Sequence, residues 1–278
     1  MKPFKFAAFA DEAGNDLTTQ IHTMKQHGIS YLEIRGVDGQ NISEITLAKA
    51  KEIRERLDDA GIGVWSLGSP YGKIGIKEDF RPHLDLFRHG LELAQALRTK
   101  YIRLFSFFIP TGEAPEIYRD EVMARLAQFI EAAKDSGITL CHENEKEIYG
   151  DIASRCAEIH HTFPELKAVF DPANFIQCGQ DTIPAWEMLS DYVEYMHIKD
   201  ALWDGTVVPA GAGEGNLPYL LEQYKGTILT LEPHLSVFKG FSELEQESGK
   251  TKMPAHTYAS SGEAFAAAVE ALKNLLKP

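Results

Sequence analysis

Cysteine is scarce: Cys141, Cys156 and Cys178 are all the chain carries, an odd number with no CxxC pair. That excludes a disulfide scaffold as the organising frame and points to free or buried thiols in a reducing compartment. Long apolar runs are missing too, and none reaches the roughly 18 residues a membrane span needs. The opening "MKPFKFAAFADEAG" is apolar only briefly and turns acidic by Asp11, unlike a signal peptide, so a cytoplasmic location is expected. Basic charge is in deficit, with 28 Lys and Arg against 41 Asp and Glu and a net charge of −13. Such a balance argues against nucleic-acid or membrane partners and suits a protein that attracts cations. No GxGxxG follows the first apolar run, so the mark of a dinucleotide-binding sheet is absent.

What is present is a rhythm. Short apolar runs recur at 5–10, 31–35, 63–68, 101–106, 138–143, 167–171, 194–200 and 227–233, and read as strands. Between them lie stretches with helical spacing, such as "LTTQIHTMKQHG" and "RPHLDLFRHGLELAQAL". Gly28, Gly61, Gly137 and Gly226 stand just before strands, where a left-handed helix cap is expected. Helix, glycine and short strand in repetition imply parallel strands joined by crossover helices. Eight such units in roughly 250 residues are what a (β/α)8 TIM barrel requires. One α/β domain over 1–278 is therefore expected, with no boundary in composition. Three segments break the rhythm, at 68–80, 201–216 and 234–261. Each follows a strand, so each belongs on the barrel rim where functional loops gather.

The ends of the last four strands carry the chemistry. Glu143 closes "LCHE", Asp171 closes "VFD", His197 lies in "MHIKD", and Glu232 follows "LTL". Taken singly, each has a plain structural alternative: a solvated acid, a helix cap before Pro172, a core histidine, a rim residue. Together, on successive strands of a barrel, they converge near its axis. Three carboxylates and an imidazole offer oxygen and nitrogen ligands to one divalent ion, with Mn²⁺, Co²⁺ or Mg²⁺ preferred over a sulfur-seeking metal.

The pattern "HEN…DPAN…HIKD…LEPH", with an early "GISYLEIR", resembles the sugar phosphate isomerase/epimerase family of xylose isomerase-like barrels, over essentially the whole chain. The resemblance implies a metal held by Glu143, Asp171, His197 and Glu232, with Mn²⁺ the first choice and Co²⁺, Mg²⁺, Zn²⁺ or Fe²⁺ as alternatives. It implies a small carbohydrate substrate and proton abstraction beside a carbonyl through a metal-stabilised enediolate. In ketose epimerases of this kind, the first and last metal-binding glutamates also act as acid and base. Carried over, Glu143 and Glu232 are the catalytic pair.

Other residues are expected around that frame. Alternation puts Lys199 on the side of His197, as a substrate contact or an ion-pair partner. Asn174 stands where related epimerases have a substrate-binding histidine, and this departure weakens a standard ketose 3-epimerase assignment. His234, Glu214 in "PAGAGEGN", and Lys73 or Tyr71 in a lid formed by "GSPYGKIG" are further substrate-binding candidates. His142 turns away from Glu143 and reads as packing. Glu145 and Lys146 read as solvated, and Asp200 as orienting a neighbour. Trp65 and Trp203 read as packing residues, with a pocket wall the alternative. Arg35 and Arg103 form no evident phosphate cluster, which favours an unphosphorylated keto-sugar, keto-glycoside or keto-cyclitol.

A dehydratase or lyase on a keto-sugar, keto-glycoside or keto-inositol begins with the same proton abstraction and is the main rival. Apurinic endonucleases share the barrel but add histidines on strands 2 to 4, which here end in "EIRG", "SLGSP" and "FSFFIP". A sugar-binding barrel without chemistry would have lost a ligand, and none of the four types is lost. A homo-oligomer is expected only by analogy with other barrels.

Overall fold

Alternation along each apolar run decides the architecture, because one face of every strand meets helices and the other meets the barrel axis. In a computed structural model that describes residues 3–237, 252 and 258–277, all eight expected strands form. They are β1 (Lys5–Ala8), β2 (Tyr31–Ile34), β3 (Gly63–Gly68), β4 (Tyr101–Leu104), β5 (Thr139–Glu143), β6 (Lys167–Phe170), β7 (Val193–Ile198) and β8 (Ile228–Leu231). Every neighbouring pair is parallel, and β8 pairs back onto β1, so the sheet closes as a single TIM barrel. The strands stop earlier than the apolar runs at several C-terminal ends. Phe9 and Ala10 leave β1 for a tight turn at Ala10–Glu12, and Pro233 has no N–H to continue β8.

The helices are α1 (Leu17–His27), α2 (Leu47–Ala60), α3 (Phe80–Ala96), α4 (Arg119–Ala133), α5 (Ala153–Thr162), α6 (Pro172–Gln177), α7 (Thr182–Leu189), α8 (Leu217–Gln223) and α9 (Ser261–Leu275). Asp16, Thr46 and Ser260 cap α1, α2 and α9 by accepting the backbone N–H three residues on. Gly28 and Gly61 adopt the left-handed caps expected of them, both with φ of 72°. Gly137 is also left-handed but lies beyond α4, whose cap is Lys134. Gly226 is not a left-handed cap: it is small because a Cβ there would stand 2.0 Å from the Tyr224 hydroxyl. Among the described residues, no helix is long and apolar enough to cross a membrane.

Three short elements were not expected. "VDGQ" makes a hairpin between Gly36–Val37 and Gln40–Asn41, with Asp38 and Gly39 both at positive φ, as a two-residue Asp-Gly turn requires. A second hairpin pairs Asp200–Ala201 with Val207–Val208. Helix α6 starts directly at the end of β6, with Asp171 as its cap and Pro172 in its first turn.

The barrel floor is aromatic. Trp65 packs against Tyr31, Tyr101 and Tyr195, with ring centroids 6.2, 4.6 and 5.8 Å away, over Ala7, Cys141, Val169 and Ile228. Trp65 thus plugs the end opposite the rim, while Trp203 is 52% exposed on the second hairpin. The rim loop 68–80 is bonded along residues 105–108: Tyr71 O, Gly72 O and Ile74 O accept the N–H groups of Phe105, Phe107 and Phe108. The expected rim loop 234–261 lies largely outside the described residues.

Two buried histidines give the fold a pH dependence. His83 Nε2 accepts the Gly72 N–H at 2.7 Å, and His160 Nδ1 donates to Leu166 O at 3.0 Å. Burial lowers both to about 4, whereas an unfolded histidine titrates near 6.5. As pH falls the unfolded chain takes up these protons first, so the stability they contribute is complete above about 6.5 and is lost toward 4. We expect the urea midpoint to fall less between pH 7 and 4.5 in a His83→Gln, His160→Gln double variant than in the wild type. Equal falls would refute the assignment.

Candidate metal centre

The last four strands end at one level of the rim, and their terminal side chains turn inward. Glu143, Asp171, His197 and Glu232 are buried and bring one ligand atom each to within 4.8 Å of the others. His197 Nδ1 lies 3.0 Å from Glu143 Oε1, 3.3 Å from Glu232 Oε2 and 3.8 Å from Asp171 Oδ2. Asp171 caps α6 and still faces the cluster: Oδ1 accepts the Asn174 N–H at 2.9 Å and Oδ2 lies 3.8 Å from His197 Nδ1.

Cations are interleaved with these acids. Lys199 Nζ lies 2.9 Å from Asp171 Oδ2 and 3.0 Å from Glu232 Oε2. Arg103 Nη1 lies 3.1 Å from Glu143 Oε2 and 3.6 Å from Glu232 Oε1. Arg35 binds Glu232 Oε1 at 3.1 Å and turns its other nitrogens to Asp11 and Glu12, at 2.9 and 3.2 Å.

Burial alone would lower the pKa of His197, but Glu143, Glu33 and Glu232 outweigh it and raise it well above the usual imidazole range. Burial likewise opposes the charge on Lys199, and Asp171, Glu232, Glu145 and Glu143 overcome it and push the ammonium pKa up. For Glu232, burial raises the pKa, yet Lys199, His197 and His234 hold it well below the carboxylate range. Asp171 goes the other way: burial, with Glu232 and Glu143 beside it, outweighs Lys199 and raises its pKa.

This donor set fits a divalent ion. Glu143 Oε2 and Asp171 Oδ2 are buried and accept no hydrogen bond, each being met by a cation alone. Part of the positive charge that stabilises the acids, on His197 Nδ1 and Lys199, stands at the point on which the acids converge. Oxygen and neutral imidazole nitrogen are the ligands of Mn²⁺, Mg²⁺ and their neighbours.

The other expected residues divide into two groups. Lys73, Asn174, Lys199 and His234 line a small pocket with Arg103, Phe105, Glu143, Glu145, Lys146 and Glu232. Asn174 donates to Asn144 O at 2.9 Å and to Glu143 Oε1 at 3.4 Å. His234 lies 3.6 Å from Glu232 and 3.5 Å from Glu12. Glu145 is buried and not solvated: its Oε2 pairs with Lys73 at 2.9 Å. Burial would raise its pKa, but Lys73, Lys146 and Lys199 draw it down to about 2.

Glu214 is not brought to the pocket; it is exposed on its loop. The glycines around it serve Asp200, whose carboxylate accepts the N–H groups of Gly211, Gly213 and Gly215 at 2.8, 3.0 and 2.9 Å. Tyr71 is not over the pocket either: it packs on Phe87, against Gly90 of α3. His142 faces outward as expected, bonded to Ser106 Oγ at 2.9 Å.

Reading the sequence missed Asn144, which exchanges two 2.9 Å bonds with the Asp171 backbone and ties the ends of β5 and β6 together. It also missed Glu33, whose Oε2 lies 3.3 Å from His197 Nε2. A charged residue at the inward alternation of "YLEIR" was the available signal.

Comparison with known proteins follows the same outline. A family model described as a xylose isomerase-like TIM barrel matches residues 21–245. No curated protein matches the chain. Among solved structures, the IOLI protein with a bound zinc atom has a TM-score of 0.74 at 16% identity, over 98% of either chain. A D-allulose 3-epimerase from Methylomonas sp., in complex with D-allulose, has a TM-score of 0.74 at 16% identity, over 99% of this chain and 98% of that one. The probable 3-DHS dehydratase AsbF from Bacillus anthracis has a TM-score of 0.73 at 15% identity, over 98% and 99%. At such identities the likeness is one of fold, and the match of the family model to most of the chain supplies the relationship. The chain belongs to the xylose isomerase-like TIM barrel family.

Proposed function

We propose that the protein is a divalent-metal-dependent isomerase or epimerase that moves a proton on the carbon beside a carbonyl of a keto-sugar or related carbohydrate. The observation that carries this reading is the buried quartet of Glu143, Asp171, His197 and Glu232 at the mouth of a closed barrel. A divalent ion bound there, Mn²⁺ first, supplies Lewis acidity to a carbonyl oxygen.

The chain's own residues supply the proton transfers. Glu143 ends β5 and Glu232 follows β8, with β6 and β7 between them in the wall, so the two carboxylates approach a bound ring from different sides. One takes the proton and the other returns it, which inverts the carbon. Lys199 donates toward the oxygen that gains charge, while Asn174 and Lys73 offer hydrogen bonds to hydroxyls.

Charge accounting favours an uncharged substrate. Arg35, Arg103, Lys199 and Lys73 are each already paired with internal carboxylates. A phosphate or carboxylate drawn to any of these four cations would compete with its internal acid, at a desolvation cost that a hydroxyl avoids. Keto-sugars, keto-glycosides and keto-cyclitols meet this condition.

Elimination from the same intermediate is the second reading, and Asn174 bears on it only by weakening a standard ketose 3-epimerase assignment. The group beside Glu143 is an amide, which donates a hydrogen bond but cannot relay a proton as a histidine would.

Elemental analysis of protein purified without added metal should find about one divalent ion per chain, lost in His197→Ala. No metal in either protein, and no uptake on addition, would remove Lewis-acid catalysis from the account. Glu143→Gln and Glu232→Gln should each slow exchange of a substrate C–H with solvent deuterium by roughly a hundredfold or more, over a panel of neutral keto-sugars and keto-cyclitols. Wild-type exchange in both variants would sink the acid/base pair, and the product formed separates epimer from dehydrated compound. Lys199→Met should impair turnover with metal content near that of the wild type; a large loss of metal would assign Lys199 to the cluster's structure instead.

A further inference from the structure

We propose that Glu33 is a positioning residue for the metal centre: it fixes the tautomer and orientation of His197 and thereby sets the affinity for the ion. The inference rests on the metal reading above and extends it to a residue outside the ligand quartet. His197 has two ring nitrogens with separate surroundings. Nδ1 faces Glu143, Glu232 and Asp171, whereas Nε2 points down the barrel to Glu33 Oε2 at 3.3 Å. For Nδ1 to offer a lone pair to an ion, the imidazole must carry its remaining proton on Nε2. A carboxylate on that side holds the proton there and makes Nδ1 the better donor.

Glu33 is built for this and for little else. It is wholly buried, lies one layer below the pocket and is not among the residues that line it. Its Oε1 accepts the Tyr195 hydroxyl at 2.7 Å, and that hydroxyl lies 3.2 Å from Ser66 Oγ. Both carboxylate oxygens are thus held, one by the floor of the barrel and one by His197. Phe9 stands edge-on to the imidazole, 5.3 Å away at 83°, and confines the ring from another side. The pairing of β2 with β3 shifts register between Leu32 and Glu33, the step at which the strand delivers this side chain to the axis. A carboxylate buried this deeply is costly, and packing alone would be met by leucine or glutamine.

The test is metal affinity, read by calorimetric titration of metal-stripped protein with Mn²⁺ alone and Zn²⁺ alone. Glu33→Gln keeps the shape and an acceptor but removes the charge, and should weaken binding roughly 10- to 100-fold. Ion-free variant and ion-free wild type should give the same near-ultraviolet circular dichroism at the titration temperature, so that the loss read is one of affinity and not of fold. Binding within about threefold of wild type overturns the proposal. If Glu33→Gln does not fold, Tyr195→Phe decides: it releases only Oε1, and several-fold weaker binding supports the proposal while unchanged binding overturns it. Wild-type protein that takes up neither ion overturns the metal reading itself, a result distinct from a wild type that binds and a variant that binds equally well.

Discussion

Four carboxylates turn toward one imidazole: Glu33 toward Nε2, and Glu143, Asp171 and Glu232 toward Nδ1. In a dry barrel interior such acids repel strongly and lose their hydration. The arrangement exists because cations are threaded among them. Lys199 joins Asp171 to Glu232, Arg103 joins Glu143 to Glu232, and Arg35 joins Glu232 to the acids that follow β1. Most of the polar interior follows from this one requirement. A divalent ion at the same point would satisfy it with less dependence on the protonated imidazole, which is why the donor set and the charge distribution agree.

The rest of the rim is arranged around that charge. Loop 68–80 is fastened by backbone bonds to residues 105–108 and carries Lys73 to Glu145. The glycines of 211–215 wrap Asp200, and a Cβ on Gly213 or Gly215 would meet its Oδ1 at 2.4 or 2.7 Å. The glycines therefore mark a close approach of backbone to an internal carboxylate, not to a ligand. Below the charged layer an aromatic floor closes the barrel, and above it Glu143 and Glu232 line the rim pocket.

Much of the fold was legible because each local signal was unambiguous. Runs of β-branched and aromatic residues, spaced by helical segments, marked all eight strands within a few residues of their ends. The buried quartet at the strand ends was legible because charged residues follow apolar ones without a gap, as in "ITLCHE". Other parts were not. The short helix α6 is hidden in "PANFIQ", since Asp171 looks the same whether it caps or ligates. Glu145 looked like any loop acid, and only the buried Lys73 beside it reveals otherwise. Glu214 looked well placed between glycines, yet those glycines serve a carboxylate earlier in the chain.

The sequence by itself determined the repeating unit, the closed parallel barrel and the residue types at the strand ends, because these depend on spacing between near neighbours along the chain. Which of those residues touch one another was decided by barrel closure. Closure brings β2 across from β7, so that Glu33 reaches His197, and joins β8 to β1, so that Arg35 and Glu12 reach Glu232 and His234. Such contacts carry no signature along the chain. They arise when charges too costly to bury alone are forced into one interior and must find their partners there.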